Sequence, residues 1–197
     1  MNLAIIKYNA GNIRSVLFAL ERLGIIAVVT DDAELIRQAD KVIFPGVGEA
    51  STAMQYLQQK GLARLIPSLT QPVLGICLGM QLLCDYSEEN DTPCLGVFDQ
   101  VQVTRFKPIR KEIKVPQVGW NEINLVRGPL FKGIRDGAYC YYVHGYYAGI
   151  SPYTIAATRY DVEYSAALQK NNFYGVQFHP EKSAATGEQI LKNFLSL

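Results

Sequence analysis

The sequence is poor in the residues that most often build metal centres and disulfide scaffolds. Among 197 residues it has two histidines, His144 and His179, and four cysteines, Cys77, Cys84, Cys94 and Cys140. No two cysteines stand at Cys-x-x-Cys or zinc-site spacing, so neither a metal centre nor a bound cofactor is expected. Long apolar runs are also missing. The longest largely hydrophobic stretch, Val73 to Cys84, is 12 residues, too short to span a bilayer. Nor does charge of one sign dominate: 19 basic residues face 18 acidic ones, for a net charge of +1. No global field therefore directs the chain to nucleic acid or to an anionic membrane. The opening Met-Asn-Leu-Ala-Ile-Ile-Lys-Tyr has no basic segment and no small-residue cleavage site, so no export signal is expected.

What is present suits a packed domain. The chain is 49% hydrophobic and 19% charged, which excludes a disordered segment, a collagen-like repeat and a disulfide-stapled miniature. A chain of this length buries roughly 70% of its unfolded surface. One cytoplasmic domain over residues 1–197 is expected, with Cys84, Cys94 and Cys140 as reduced, buried small hydrophobes.

Strand and helix signals alternate along the first half. Leu3 to Tyr8 reads as a buried strand. Ile13, Val16, Leu17, Leu20 and Leu23 then recur at helical spacing. Ile25 to Thr30 is a second strand, and Asp31-Asp32 caps a short helix through Gln38. Lys41 to Phe44 is a strand, Ala50 to Gln59 an amphipathic helix, and Val73 to Ile76 a strand running into Cys77. This rhythm predicts an α/β fold with an open, largely parallel central sheet flanked by helices. From Val101 to Tyr160 the signals are short β-rich runs, read as partly antiparallel strands extending that sheet. Tyr174 to Phe178 is a last strand, and Ala185 to Leu195 a last helix.

In such a sheet, ligands bind beyond the carboxyl ends of the strands. Three predicted strand ends carry unusual residues: Pro45-Gly46-Val47-Gly48, Gly75-Ile76-Cys77-Leu78-Gly79 and His179-Pro180-Glu181. Gly-x-Cys-x-Gly between a strand and a helix is the cysteine counterpart of a nucleophile elbow. The turn exposes the sulfur at a helix N-terminus, which favours a thiolate, and lets the Leu78 N–H face a developing oxyanion. By spacing alone, Cys77 also fits a glycine-flanked core cysteine. A thiolate nucleophile needs a base, and the base an orienting partner. His179 with Glu181 two residues on supplies both, although Glu181 taken alone reads as a solvated loop carboxylate. Together the three residues read as Cys-His-Glu.

At this point a resemblance is apparent. Gly75-Ile76-Cys77-Leu78-Gly79-Met80-Gln81 with His179-Pro180-Glu181 resembles the class I, triad-type glutamine amidotransferases, over essentially the whole chain. Four segments resemble more narrowly the glutaminase subunits of imidazole glycerol phosphate synthases. They are Pro45-Gly46-Val47-Gly48, Pro116-Gln117-Val118-Gly119-Trp120-Asn121, Tyr141-Tyr142-Val143-His144 and His179 to Ser183. The sequence departs from the family at Lys7-Tyr8-Asn9-Ala10, where Asp-Tyr-Gly is common, and keeps Gly11 and Asn12.

The resemblance implies that Cys77 attacks the side-chain amide of glutamine, that His179 protonates the leaving ammonia and then activates water, and that Glu181 orients His179. It implies oxyanion donors at the Val47 and Leu78 N–H groups, and substrate contacts at Gly46, Gly48, Gln81, Gly145 and Tyr146. It also implies a heterodimer with a cyclase subunit that receives the ammonia in histidine biosynthesis, docked over Asn12, Trp120, Asn121, Tyr141 and Lys182. Because Gly46 and Gly48 flank Val47, the Val47 peptide is expected to flip at low steric cost. In the free chain its N–H is expected to face away from the site. His144, with no carboxylate two residues on, is expected to pack and hydrogen-bond near the substrate. The basic run Arg105 to Lys114 reads as a solvated face. The rival readings are a glutaminase serving another synthase, an amidase or peptidase of similar fold, and a non-catalytic subunit. The Gly-Val-Gly and Gly-Trp-Asn segments argue against the first. The second would act on substrates other than glutamine, and the intact Cys77, His179 and Glu181 argue against the third.

Overall fold

A fully apolar strand sends alternate side chains to both faces of a sheet, and β1 (Leu3–Ile6) does this. Leu3 and Ile5 join one buried cluster, and Ala4 and Ile6 the other. The computed structural model of the chain describes residues 1–9, 12–108 and 110–197. Gly11, kept from the family pattern, lies outside the described residues, as do Ala10 and Ile109.

The first half proceeds through α1 (Ile13–Arg22), β2 (Ala27–Thr30), α2 (Ala33–Gln38), β3 (Lys41–Phe44), α3 (Ala50–Gln59), α4 (Leu62–Leu65) and β4 (Val73–Ile76). The Asp32 carboxylate caps α2 by accepting from the N–H groups of Glu34 and Leu35 at 2.8 and 3.0 Å. Next come α5 (Leu78–Leu83), β5 (Cys84–Ser87), β6 (Thr92–Pro93), β7 (Phe98–Arg105), β8 (Gln117–Ile123), β9 (Ala138–His144) and β10 (Tyr146–Ala148). The chain closes with β11 (Thr154–Tyr160), β12 (Val162–Lys170), β13 (Phe173–Val176) and α6 (Ala184–Leu195).

The central seven-stranded sheet has the order β11-β12-β13-β4-β3-β1-β2. β13, β4, β3, β1 and β2 run parallel, while β12 and β11 extend the sheet antiparallel at one edge. The extension is shorter than the sequence predicts. Only β11 and β12 join the main sheet. β5, β6, β7 and β10 form a separate four-stranded sheet, and β8 with β9 a two-stranded one. The cause lies just after β4. A parallel return needs a crossover of about a dozen residues or more, and α5 has six, so β5 starts a new sheet. One core cluster packs α1, α6 and the inner face of the β8–β9 hairpin on the sheet; the other packs α2, α3, α4 and the four-stranded sheet. Among the described residues, no helix is long and apolar enough to cross a membrane.

For the site, one feature of the sheet matters most. β3, β4 and β13 are adjacent, parallel and level: Phe44 is opposite Gly75, and Gly75 and Ile76 are opposite Gly175 and Val176. The segments that follow them emerge side by side at one sheet edge.

Candidate active site

Cys77 follows β4 directly and precedes α5 with φ 53° and ψ −109°, a left-handed conformation costly for any residue with a Cβ. The close packing of the elbow holds it there. A Cβ on Gly79 would sit 1.8 Å from the Phe44 carbonyl oxygen, so only glycine lets α5 lie this near β3. The Cys77 N–H donates to the Val176 carbonyl at 2.8 Å, tying the elbow to β13.

His179 lies just past the end of β13. Its Nδ1 bonds Glu181 Oε1 at 2.8 Å, and Asn12 Nδ2 donates to the same oxygen at 2.5 Å. His179 and Glu181 are both buried, and Glu181 Oε2 is buried without a hydrogen-bond partner. Glu181 is therefore no solvated loop carboxylate. Burial, the largest single influence on His179, disfavours its cation. The Cys77 sulfur, as neighbouring charge and hydrogen-bond partner, and then Glu181, outweigh it and push the pKa up to about 10. The imidazolium thus persists through neutral pH. Replacing Cys77 by Ser removes the sulfur that raises the pKa, so the His179 midpoint falls. A titration followed by NMR of the imidazole checks this, and an unmoved midpoint refutes the coupling.

The Leu78 N–H donates to the Gly46 carbonyl at 3.2 Å. The C=O and N–H of a trans peptide point in opposite directions, so the Val47 N–H faces away from the position the Leu78 N–H addresses. Pro45, one residue earlier, is held by Tyr8, whose hydroxyl donates to its carbonyl at 2.6 Å. Burial, and then the Cys77 sulfur, raise the Tyr8 phenol well above its usual value, which keeps it a neutral donor. Tyr8 thus places one residue of the sequence that departs from the family pattern beside the site.

These segments enclose a cavity of about 220 Å³ beside the sulfur, with Val47, Gly48, Gln81, Gly145 and Tyr146 in its lining. Larger depressions of about 450, 500 and 430 Å³ lie at the β2 edge, beside Trp120 and behind Glu181. The sulfur opens into none of them. His144 also lines the 220 Å³ cavity. It is buried, its Nδ1 bonds the Tyr146 carbonyl at 2.7 Å, and burial chiefly lowers its pKa to about 4. A neutral imidazole without a carboxylate partner holds backbone here, as its sequence context predicts.

The surface residues divide. Trp120 is 52% exposed and meets Tyr141 edge-on, with ring centroids 5.8 Å apart. Lys182 is exposed beside Glu181. Asn121 is on the opposite face of the hairpin from Trp120, paired with buried Cys140, and its amide donates to the Arg159 carbonyl at 3.1 Å. Asn12 is half-buried and committed to Glu181. In the basic run, Lys107 pairs with Glu88 and Arg110 with Asp161, at 3.6 and 3.1 Å.

Residues 5–197 match the glutamine amidotransferase class-I family. The chain belongs to the class I glutamine amidotransferases. The proteins named "Imidazole glycerol phosphate synthase subunit HisH" in Bacteroides fragilis and Bacteroides thetaiotaomicron are 57% and 55% identical to this amidotransferase over 197 residues, with both chains covered completely. A solved glutamine amidotransferase superposes with a TM-score of 0.75, over 98% of this chain and 97% of that one. At 18% identity it is a likeness of fold.

The structure of this amidotransferase adds residues that sequence reasoning passed over. Glu89 brings a carboxylate to the cavity, with Oε2 accepting from the Ala50 N–H at 2.8 Å. Ser183 bridges the hairpin and the His179 loop: its hydroxyl donates to the His179 carbonyl at 2.7 Å and accepts from the Tyr141 N–H at 2.9 Å. Gln177 donates from Nε2 to Cys77 Sγ at 3.7 Å. Its signal was present in the sequence as a lone amide inside the apolar run Tyr174 to Phe178. Glu89 and Ser183 sit in loops with no such contrast around them.

Proposed function

We propose that this chain is the glutaminase subunit of an imidazole glycerol phosphate synthase, and that Cys77, His179 and Glu181 carry its chemistry. The observation that carries the reading is the convergence of sulfur, imidazole and carboxylate at the level ends of β4 and β13. The Cys77 thiolate attacks the side-chain carbonyl carbon of glutamine. The C–N bond then breaks as the His179 imidazolium gives its proton to the leaving nitrogen, which departs as ammonia and leaves a thioester. The now neutral His179 takes a proton from water, the hydroxide displaces the sulfur, and glutamate is released. Glu181 holds the ring through Nδ1, so the other nitrogen faces sulfur and substrate in turn.

Glutamine is recognised by its zwitterionic end. Glu89 and the Gln81 carbonyl oxygen suit the α-ammonium. Backbone of Gly48, Gly145 and Tyr146 lines the cavity for the remaining polar contacts, whereas Gly46 lies outside that lining with its carbonyl on the Leu78 N–H. Ammonia released to a neutral cytoplasm is mostly protonated and lost as a nucleophile, so it passes directly to a docked cyclase subunit in a heterodimer. Exposed Trp120 and Lys182 and half-buried Tyr141 form the accessible part of the docking face, with Asn12 behind them on Glu181 and Asn121 supporting the hairpin from its inner face.

Replacing His179 with Asn lowers glutamate release in the complex by about 10²–10⁴-fold, the usual share of a general acid–base. His144→Asn costs far less, because that imidazole has no carboxylate to orient it and its two nitrogens are engaged by the Tyr146 carbonyl and, at 3.3 Å, the Tyr164 hydroxyl. Equal losses in the two variants would remove His179 from its role.

A further inference from the structure

Gln177 is fully buried, and a buried amide persists only when its donors and acceptor are paired. Its partners form a chain that starts at a backbone atom. The Tyr146 carbonyl can only accept, and it accepts from Gln81 Nε2 at 2.9 Å. That fixes which end of the Gln81 amide points inward. The same Gln81 nitrogen donates to Gln177 Oε1 at 2.9 Å, which fixes Gln177 in turn and directs its Nε2 at Cys77 Sγ, 3.7 Å away. Flipping either amide sets oxygen against oxygen or nitrogen against nitrogen at these distances. The polarity is therefore locked from the Tyr146 carbonyl to the sulfur.

We propose that Gln177 is a positioning residue for the nucleophile, presenting a hydrogen-bond donor to the Cys77 sulfur in an orientation locked by the Tyr146 carbonyl through Gln81. The inference rests on the reading of Cys77 as nucleophile. A donor held against sulfur favours its anionic, acceptor-only form, and charge-assisted hydrogen bonds are the strong ones. The same lock has a second effect. Both Gln81 hydrogens are spent inward, so its Oε1 is the amide atom left for a ligand in the cavity. The sulfur's charge and the acceptor for the substrate ammonium are set by one relay.

The relay separates variants that a merely structural role would not. Gln177→Glu is nearly isosteric and keeps an acceptor for Gln81, but it replaces the donor at the sulfur with a negative charge. Gln81→Met does not touch the sulfur, yet it unlocks Gln177. The probe is neutral iodoacetamide on the full-length chain, with Cys77 modification followed by peptide mass spectrometry across pH. In Gln177→Glu, alkylation at neutral pH slows by about 10- to 100-fold, the range for loss of a hydrogen bond to a charged group, and the pH–rate profile moves to higher pH. In Gln81→Met the profile moves the same way by less, and this variant supplies the readout should Gln177→Glu fail to fold. Selective Cys77 labelling with unmoved profiles in the folded variants overturns the Gln177 role alone. Labelling of the wild-type chain spread over all four cysteines overturns the nucleophile reading itself.

Discussion

Replacing Cys77 with Ala takes glutamate release in the assembled enzyme below detection, a loss of about 10⁴-fold or more, because no other group can form the covalent intermediate. The remaining cysteines are the natural substitutes, and burial disqualifies each. It pushes the Cys84 thiol well above its usual value and those of Cys94 and Cys140 up to about 12, so none presents a thiolate at neutral pH. The fold survives the change, since Ala pays no more than Cys for φ 53° and the lost sulfur contacts are weak. An alkylating glutamine analogue labels Cys77 alone. Glutamate assays and labelled-peptide mapping test both statements, and an undiminished rate in Cys77→Ala refutes the triad.

The isolated chain releases glutamate at least about 10²–10³-fold more slowly than the chain assembled with its cyclase and the cyclase's nucleotide substrate. The loss of one oxyanion donor alone costs that much, and here one peptide bond withholds both. The Gly46 carbonyl now takes the Leu78 N–H, so the tetrahedral oxyanion would find one donor occupied and the other, on Val47, turned away. A flip of the Gly46–Val47 peptide frees the first donor and delivers the second. The flip turns ψ of Gly46, which has no Cβ to resist it, together with φ of Val47. Docking has a path to the site, because the His179 N–H donates to the Tyr141 carbonyl at 2.9 Å and Tyr141 meets the exposed Trp120. Glutamate release measured for the chain alone, with cyclase, and with cyclase plus nucleotide gives rising rates. Equal rates in all three refute the gate.

Much of the fold is legible in the sequence. The strands at Lys41 to Phe44 and Val73 to Ile76 and the helix at Ala50 to Gln59 were legible to the residue, because each is a short apolar or amphipathic run bounded by Gly, Pro or a cap. The β-rich stretch from Val101 to Tyr160 was legible as strands but not as sheets. Local alternation says that a segment is extended and which side is apolar; it does not say which edge completes its hydrogen bonds. The same limit holds at the site. Asn12 read as a surface residue because its partner, Glu181, is distant in the chain, and Asn121 read as Trp120's companion because neighbours in a strand point to opposite faces.

The sequence by itself determined the elbow at Cys77, the His179–Glu181 spacing and the glycines around Val47, since each is a local pattern with a local steric or chemical reason. Tertiary structure alone decided which way things point. The direction of the Val47 peptide, the orientation of the Gln81 and Gln177 amides and the high pKa of His179 each depend on atoms from segments far apart in the chain. The physical reason is that a hydrogen-bond donor or a neighbouring charge acts over a few ångströms of space, whatever the number of residues between the partners. Those distances are set when β3, β4 and β13 line up their ends.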